Sequence, residues 1–172
     1  MNSKYFSKPF LGCLAVSLCL IFACLVVGSF RGVSAPQYEI NSTYNQIVQL
    51  RQTVLWTDIF LNNYRITLLS ALPIFGIYFM LMVQYNTGVV IGNLAQAYHV
   101  SNFAYMVAIM LNPVGILEYW AYIFVFAETL MLFYNLWNRT VIERWKSQTW
   151  KTLLLATALL LLAAFVEWRW FL

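Results

Sequence analysis

Apolar residues dominate several stretches of this chain, and these stretches have the composition of membrane-spanning helices. A spanning helix needs about 20 mainly apolar residues, and the first run extends from about residue 9 to residue 30. Further runs cover about 66–84, 113–137 and 153–166, and the second of them contains Pro73, which would bend a helix. The pattern therefore predicts an all-α fold, a polytopic bundle of transmembrane helices.

The apolar pattern is weakest between the second and the fourth run. Asn86-Thr87-Gly88 interrupts it, and a less apolar piece that starts at Val89 precedes a more apolar piece that ends at Leu111. These residues could form one weak span or two short helices that meet inside the protein, because non-helical backbone is tolerated at membrane depth only where protein shields it from lipid. We therefore expect about five spans, one of them short or broken.

The stretch from about residue 31 to residue 65 is polar and should lie outside the bundle. From Tyr44 to Phe60 its apolar residues are spaced three and four positions apart, which is the spacing of an amphipathic helix. Such a helix lies on the membrane surface or against the bundle. We therefore expect an external amphipathic helix between the first span and the rest of the bundle.

The composition supports a membrane location and a single domain. Apolar residues make up 62% of the 172 residues and charged residues only 9%, whereas an average soluble domain has roughly 25% charged residues. The lipid bilayer is therefore the expected environment, and residues 1–172 should form one integral membrane domain, with 66–172 as the bundle that follows the external segment. The net charge of +4 comes without a dense basic run, so a nucleic acid is not an expected partner.

The basic residues predict how the chain is oriented in the membrane. Lysines precede the first apolar run and further cations lie between the fourth and the fifth: Lys4 and Lys8, then Arg139, Arg144, Lys146 and Lys151. Cytoplasmic loops of membrane proteins carry an excess of Lys and Arg, and five spans place both groups on the same side. We therefore expect a multi-pass protein of the cell membrane with a cytoplasmic N-terminus and a C-terminus outside.

Two carboxylates, Glu118 and Glu128, lie within the fourth apolar run. Ten residues of α-helix separate them by about 15 Å along the axis and by about 80° around it, so they cannot form a paired acid–base site. An ionisable group inside a membrane segment is costly and marks a functional or assembly site. Each carboxylate could accept hydrogen bonds that hold the fold or an assembly together, or it could be a step in a proton or cation relay.

Asparagines are the candidate partners of these carboxylates. Four of them lie near the ends of predicted spans: Asn62, Asn63, Asn86 and Asn112. Asn112 also suits the N-cap of the fourth helix, and Pro113 suits the first helical position, where a backbone N–H is not needed. We therefore expect a polar cluster close to the start of the fourth helix.

Small residues indicate where helices pack closely. Gly88 and Gly92 are four positions apart, and this spacing lets two helix backbones approach each other. The partner helix could belong to the same chain or to a second copy, so a homo-oligomer is possible. Pro113 and Gly115 are further candidates for close packing at the start of the fourth helix.

The sequence carries no recognisable catalytic or cofactor-binding motif. Its single histidine, His99, has no cysteine or second histidine near it, so no metal site is expected. A Gly-rich phosphate loop, a nucleophile elbow and a His-Glu-x-x-His motif are all missing from the sequence. We therefore expect no cofactor and no enzyme activity of this chain, although it could be an accessory subunit of a membrane enzyme complex.

Short motifs between Phe60 and Glu118 resemble those of a known family. In chain order they are Phe60-Leu61-Asn62-Asn63, Gly76, Tyr85-Asn86-Thr87-Gly88 with Gly92, and Asn112-Pro113-Val114-Gly115-Ile116-Leu117-Glu118. Their order resembles that in the stage II sporulation protein M family of small polytopic membrane proteins. The last motif is similar to the family pattern Pro-His-Gly-(Ile/Val)-Leu-Glu, and Val114 stands where the family carries the histidine.

The resemblance implies a membrane protein with several spans that works in a complex. The bacterial sporulation members are non-catalytic partners of a cell-wall-remodelling machine, and since the family also occurs in organisms that do not sporulate, sporulation itself is not implied. We therefore predict a non-catalytic integral membrane subunit or scaffold, with other integral membrane subunits as partners. The alternative is a small transporter or channel subunit that uses Glu118 or Glu128 together with a discontinuous helix.

Overall fold

The computed structural model describes the backbone of residues 7–171 and the side chains of residues 7–169. Within this part of the chain there are helices and short connections and no strand. The helices are α1 Lys8–Val33, α2 Gln37–Thr53, α3 Trp56–Ser70, α4 Phe75–Ala97, α5 Asn102–Leu111, α6 Pro113–Trp137, α7 Val141–Arg144 and α8 Trp150–Phe171, and a π-helical turn, Trp145–Thr149, joins α7 to α8. The predicted all-α fold is confirmed.

Four helical stretches are long and apolar enough to cross a membrane. They are Lys8–Val33, Phe75–Ala97, Pro113–Trp137 and Val141–Arg169, while α5, Asn102–Leu111, is apolar but shorter. The predicted bundle of membrane-spanning helices is confirmed, with four such helices in the described chain where the sequence predicted five.

The second predicted span, about 66–84, is wrong because a turn interrupts it. α3 ends at Ser70 and α4 begins at Phe75. Pro73 lies between them, where its ring and its missing N–H oppose a continuous helix. The next residue, Ile74, has a positive φ of 66°, and the amide of Phe75 donates a hydrogen bond to the carbonyl of Pro73 at 2.8 Å. The predicted bend is therefore a complete turn.

The predicted break at Asn86-Thr87-Gly88 is also wrong, because α4 runs through these residues from Phe75 to Ala97. The hydroxyl of Thr87 donates to the carbonyl of Val83 within the helix, at 3.0 Å. Hydrogen bonds of this kind let a polar residue stay inside a helix without a separate partner. The short helix that was expected in this region is α5, which follows α4.

The polar segment 31–65 contains two helices instead of one amphipathic helix. Val54 and Leu55 have extended conformations and separate α2 from α3. The amide of Leu55 donates to the carboxylate of Asp58 at 3.0 Å, which caps the start of α3. α2 is largely exposed, whereas α3 packs into the bundle against α4, α6 and α8.

α1 and α4 run in the same direction. The backbone of Leu25 lies against Gly88, and that of Ser29 lies against Gly92. The chain must therefore return between these two helices, and α3 makes the return with only 15 residues. At 1.5 Å per residue α3 is about 22 Å long, which is less than the roughly 30 Å thickness of a hydrocarbon core.

The described chain thus passes five times between the two ends of the bundle, through α1, α3, α4, α6 and α8. α6 runs opposite to α1, since Phe10 packs against Ala127 and Met131, and α8 returns beside α6 in the opposite direction. α1 begins and α8 finishes at opposite ends of the bundle. Which end faces the cytoplasm stays a prediction from the cations, of which Lys4 lies outside the described residues.

α6 lies at the centre of the bundle and is the most buried of the spanning helices. Its apolar side chains pack with those of α1, α4 and α8 in a core that includes Leu25, Met80, Phe126 and Leu160. This packing places both carboxylates of α6, Glu118 and Glu128, among neighbouring helices.

Candidate functional site

A cavity of about 710 Å³ opens beside the first turns of α6, and we call it the Glu118 cavity. Residues of α2, α4 and α5 supply most of its apolar lining: Ile47, Leu50, Val90, Ile91, Leu94 and Ile109. Its polar lining includes Arg51, Asp58, Asn62, Asn63, Tyr105, Asn112, Glu118 and Glu167. Three of the four asparagines predicted from the sequence therefore meet Glu118 at one place.

A side-chain hydrogen bond connects α3 to α6 at the wall of this cavity. The Nδ2 group of Asn63 donates to Oε1 of Glu118, across 55 positions of sequence. Asn63 is buried, and its own Oδ1 accepts from Nδ2 of Asn62 at 3.4 Å. The two helices run in the same direction here, since Ser70, about two turns further along α3, meets Thr129, about three turns further along α6. The bond therefore joins two distant motifs of the sequence.

Asn112 ends α5 and begins α6. Its Oδ1 accepts a hydrogen bond from the amide of Gly115 at 2.7 Å, and Pro113 occupies the first helical position. A Cβ atom on Gly115 would lie 2.0 Å from the carbonyl oxygen of Ile109. Glycine therefore allows the last turn of α5 to touch the first turn of α6, and this contact sets the position of Glu118 one turn later.

Asn86 does not take part in this cluster. It lies on an exposed face of α4, and it is not among the residues that line the Glu118 cavity. Glu128 lies about 15 Å further along α6 than Glu118, and it is not among the residues that line the cavity either. The structure thus brings Glu118 together with Asn62, Asn63 and Asn112, and it leaves Asn86 and Glu128 apart.

Glu167 and Arg51 were not singled out from the sequence, although both line the Glu118 cavity. Glu167 lies near the end of α8 beside Trp168, and an aromatic residue at that place is typical of a membrane–water interface. Arg51 lies in the last turn of α2. A charged residue at the end of an apolar helix was the available signal for Glu167, but the signal did not show that α8 passes beside the start of α6.

Glu128 is fully paired at the other end of the bundle. Its carboxylate accepts from Nε and Nη2 of Arg144 at 2.9 and 2.6 Å and from the hydroxyl of Thr149 at 2.7 Å. Glu128 is only 2% exposed, and the guanidinium of Arg144 also lies 5.8 Å from the centre of the Phe10 ring. A buried carboxylate with these donors stabilises the junction of α1, α6 and α7.

The π-helical turn explains how Arg144 and Thr149 reach the same carboxylate. They are five residues apart, and in an α-helix that spacing would place them about 140° apart around the axis. In a π-helix the hydrogen bonds connect residues five apart, so side chains at that spacing lie near one face. The wide turn therefore directs both donors towards Glu128.

Gly88 and Gly92 pack against α1 of the same chain. A Cβ atom at these positions would lie 2.3 Å from the carbonyl oxygen of Leu25 and 2.2 Å from that of Ser29. Two glycines of α1, Gly28 and Gly32, lie against α4 in the same manner. A Cβ atom on them would be 2.1 and 2.2 Å from the nearest backbone oxygen of α4. This second pair of glycines, four positions apart within the first apolar run, was not predicted from the sequence although its spacing is the same as that of Gly88 and Gly92.

Comparison with known proteins identifies the family. The family model of stage II sporulation protein M matches residues 11–168, which is nearly the whole chain. Searches of curated proteins and of solved structures give no match. The matched region includes the first span, the Asn62-Asn63 pair and the α6 motif with Glu118, and the resemblance noted in the sequence is thereby confirmed. The chain belongs to the stage II sporulation protein M family.

Proposed function

We propose that this chain is a non-catalytic integral membrane subunit, or scaffold, of a larger membrane complex whose other members are also integral membrane proteins. The observation that carries the proposal is the hydrogen bond from Asn63 to Glu118. It uses one oxygen of the motif carboxylate to hold two helices together. The same is true of Glu128, whose oxygens are bound by Arg144 and Thr149.

The exposed surface also supports this proposal. Large apolar side chains point outwards from α1 and α8, among them Val27, Phe30, Leu154 and Leu162. In a membrane such faces contact either lipid or the helices of other subunits, which pack against each other through van der Waals contacts. Family membership and this surface together favour a protein that acts by binding to others.

The alternative is a small transporter or channel subunit in which Glu118 or Glu128 lines a path across the membrane. Within the described residues no chain of hydrogen bonds joins the two carboxylates. The partly open cavity beside Glu118 is the feature that favours this alternative. A transport activity that depends on Glu118 would therefore support the transporter or channel alternative.

Two substitutions at Glu118 test the proposal. Glu118→Gln keeps an oxygen that accepts from Asn63, so the complex should assemble in normal yield. Glu118→Leu leaves the buried Asn63 donor without a partner at a cost of about 1–3 kcal/mol, so the yield of intact complex after gentle detergent extraction should fall. Glu143→Leu, at an exposed position far from the cavity, is the matched control and should have no effect on yield. A Gln variant that assembles normally and yet loses a transport or proton-coupled activity would show that Glu118 does chemistry.

A further inference from the structure

The Glu118 cavity contains carboxylate oxygens that lack a donor within the described chain. Oε1 of Glu118 accepts from Asn63, while Oε2 has no hydrogen bond among the described residues. Glu167 lines the same cavity and makes no hydrogen bond or ion pair with a described residue. Partly buried polar groups in a membrane protein normally find a partner. These oxygens are therefore available to a donor from outside the described part of the chain.

The same cavity has an unpaired cation. Arg51 lines it from the last turn of α2, and no carboxylate of the described chain lies within ion-pair distance of its guanidinium. Asp58, the remaining acid of the lining, already binds the amide of Leu55. The cavity thus presents two carboxylates, Glu118 and Glu167, and one guanidinium that forms no ion pair with either of them. A complementary ligand therefore carries both a positive and a negative group.

The remaining lining is apolar. Ile47 and Leu50 of α2 and Val90 and Leu94 of α4 all line it, and these side chains match an aliphatic chain. The volume of about 710 Å³ lies within the usual range of about 300–1,000 Å³ for ligand sites. Charge pattern and apolar walls together fit an amphiphile that the membrane itself supplies.

We propose that the Glu118 cavity binds a phospholipid whose headgroup carries a phosphate and a primary ammonium, that is, a lipid of the phosphatidylethanolamine class. A primary ammonium has three N–H donors for Glu118 and Glu167, and a guanidinium such as that of Arg51 binds a phosphate through charge-assisted hydrogen bonds. The acyl chain then lies along the α2–α4 wall. This site is independent of the proposed role as a subunit.

The binding is tested with three lipids that share the same acyl chains. Purified full-length protein in delipidating detergent is mixed with equal amounts of phosphatidylethanolamine, phosphatidylcholine and phosphatidylglycerol, and native mass spectrometry counts the lipid molecules that remain bound. Phosphatidylcholine has the same charges as phosphatidylethanolamine but no N–H donor on its headgroup. We expect phosphatidylethanolamine to be retained roughly tenfold more than phosphatidylcholine.

Variants assign the preference to this cavity. Glu118→Gln with Glu167→Gln should lower phosphatidylethanolamine retention to the level of phosphatidylcholine, and Arg51→Gln should lower the retention of both lipids. Glu167→Gln alone should reduce the preference without affecting the fold, since Glu167 makes no hydrogen bond with a described residue. The control is Glu143→Gln with Lys146→Gln at the opposite end of the bundle, which should retain the preference.

Three results would overturn the proposal. The first is equal retention of phosphatidylethanolamine and phosphatidylcholine by the unaltered protein. The second is strongest retention of phosphatidylglycerol, since that lipid has no ammonium and would be bound through Arg51 alone. The third is an unchanged preference for phosphatidylethanolamine in the Glu167→Gln variant and in the double variant.

Discussion

At the scale of single residues, four glycines determine how close α1 and α4 can come. Gly28 and Gly32 of α1 lie against the backbone of α4, and Gly88 and Gly92 of α4 lie against the backbone of α1. At each of these positions the nearest atom to an added Cβ would be a backbone oxygen. Backbone atoms cannot move aside as a flexible side chain can. Close contact of this kind supplies the van der Waals attraction that replaces the hydrophobic effect between helices in lipid.

Gly88→Ala should therefore lower the melting temperature of the solubilised protein. The new methyl group would lie 2.3 Å from the carbonyl oxygen of Leu25, so the helices would have to separate, at a cost of about 1–3 kcal/mol. Gly92→Ala should behave similarly. The measurement is thermal unfolding in detergent, followed by loss of the monodisperse peak or by tryptophan fluorescence.

Gly12→Ala is the matched control for these substitutions. Gly12 also lies in α1, but nothing comes within 4 Å of an added Cβ there. Alanine favours a helix over glycine by up to about 1 kcal/mol, so the melting temperature should stay the same or rise. Equal melting temperatures of the Gly12→Ala and Gly88→Ala variants would mean that close backbone packing does not stabilise the bundle.

At the scale of helices, the π-helical turn before α8 fixes the rotation of that helix. A π-helical turn contains one residue more than the α-helical turn it replaces. Arg144 and Thr149 use this extra residue to reach Glu128 together. Because Glu167 lies on α8 as well, the rotation set at one end also determines which side chain faces the Glu118 cavity at the other.

Deleting Ser147 should be tolerated, whereas inserting an alanine after it should not. Ser147 is exposed, and its hydroxyl donates only to the carbonyl of Arg144. Deletion leaves the two donors of Glu128 four residues apart, which is one face of an α-helix. Insertion turns the whole of α8 by about 100° relative to α7 and removes the Thr149 hydroxyl from Glu128.

The measurement is the melting temperature of the two variants in the same detergent. We expect a small change for the deletion and a clear decrease, or no folded protein, for the insertion. Equal destabilisation by both would contradict the role of the π-helical turn. A tolerated insertion would show that α8 can rotate without loss, which the packing of Glu128 does not allow.

Helix positions were predictable where local signals mark an end. α6 begins at Asn112-Pro113 as expected, because a side-chain cap and a proline act locally. Pro73 is a local signal that predicted a bend, but hydropathy did not show that the helix stops there. The continuity of α4 past Asn86 was not predictable either, since it depends on contacts with other helices. α4 tolerates its polar centre because α1 packs against it, and a single sequence does not show which helices are neighbours.

At the scale of the whole molecule, the sequence predicted a helical membrane bundle but not its internal pairing. The motif resemblance singled out Asn63 and Glu118, and the structure adds that they bind each other at a cavity. Glu167 and Arg51 reach the same cavity only through the antiparallel packing of α8 on α6 and the return of α2 towards α4. These long-range arrangements leave no periodic signal in the chain.

The composition of the particle extracted from native membranes tests the central claim most directly. A subunit or scaffold should leave the membrane in a particle that contains other integral membrane proteins in fixed ratio to this chain, because its apolar faces and family membership both favour such contacts. The measurement is native mass spectrometry of the complex after extraction in a mild detergent, with the chain tagged at its natural level of expression. We predict foreign membrane subunits in stoichiometric amounts; a particle built only from copies of this chain would contradict the account.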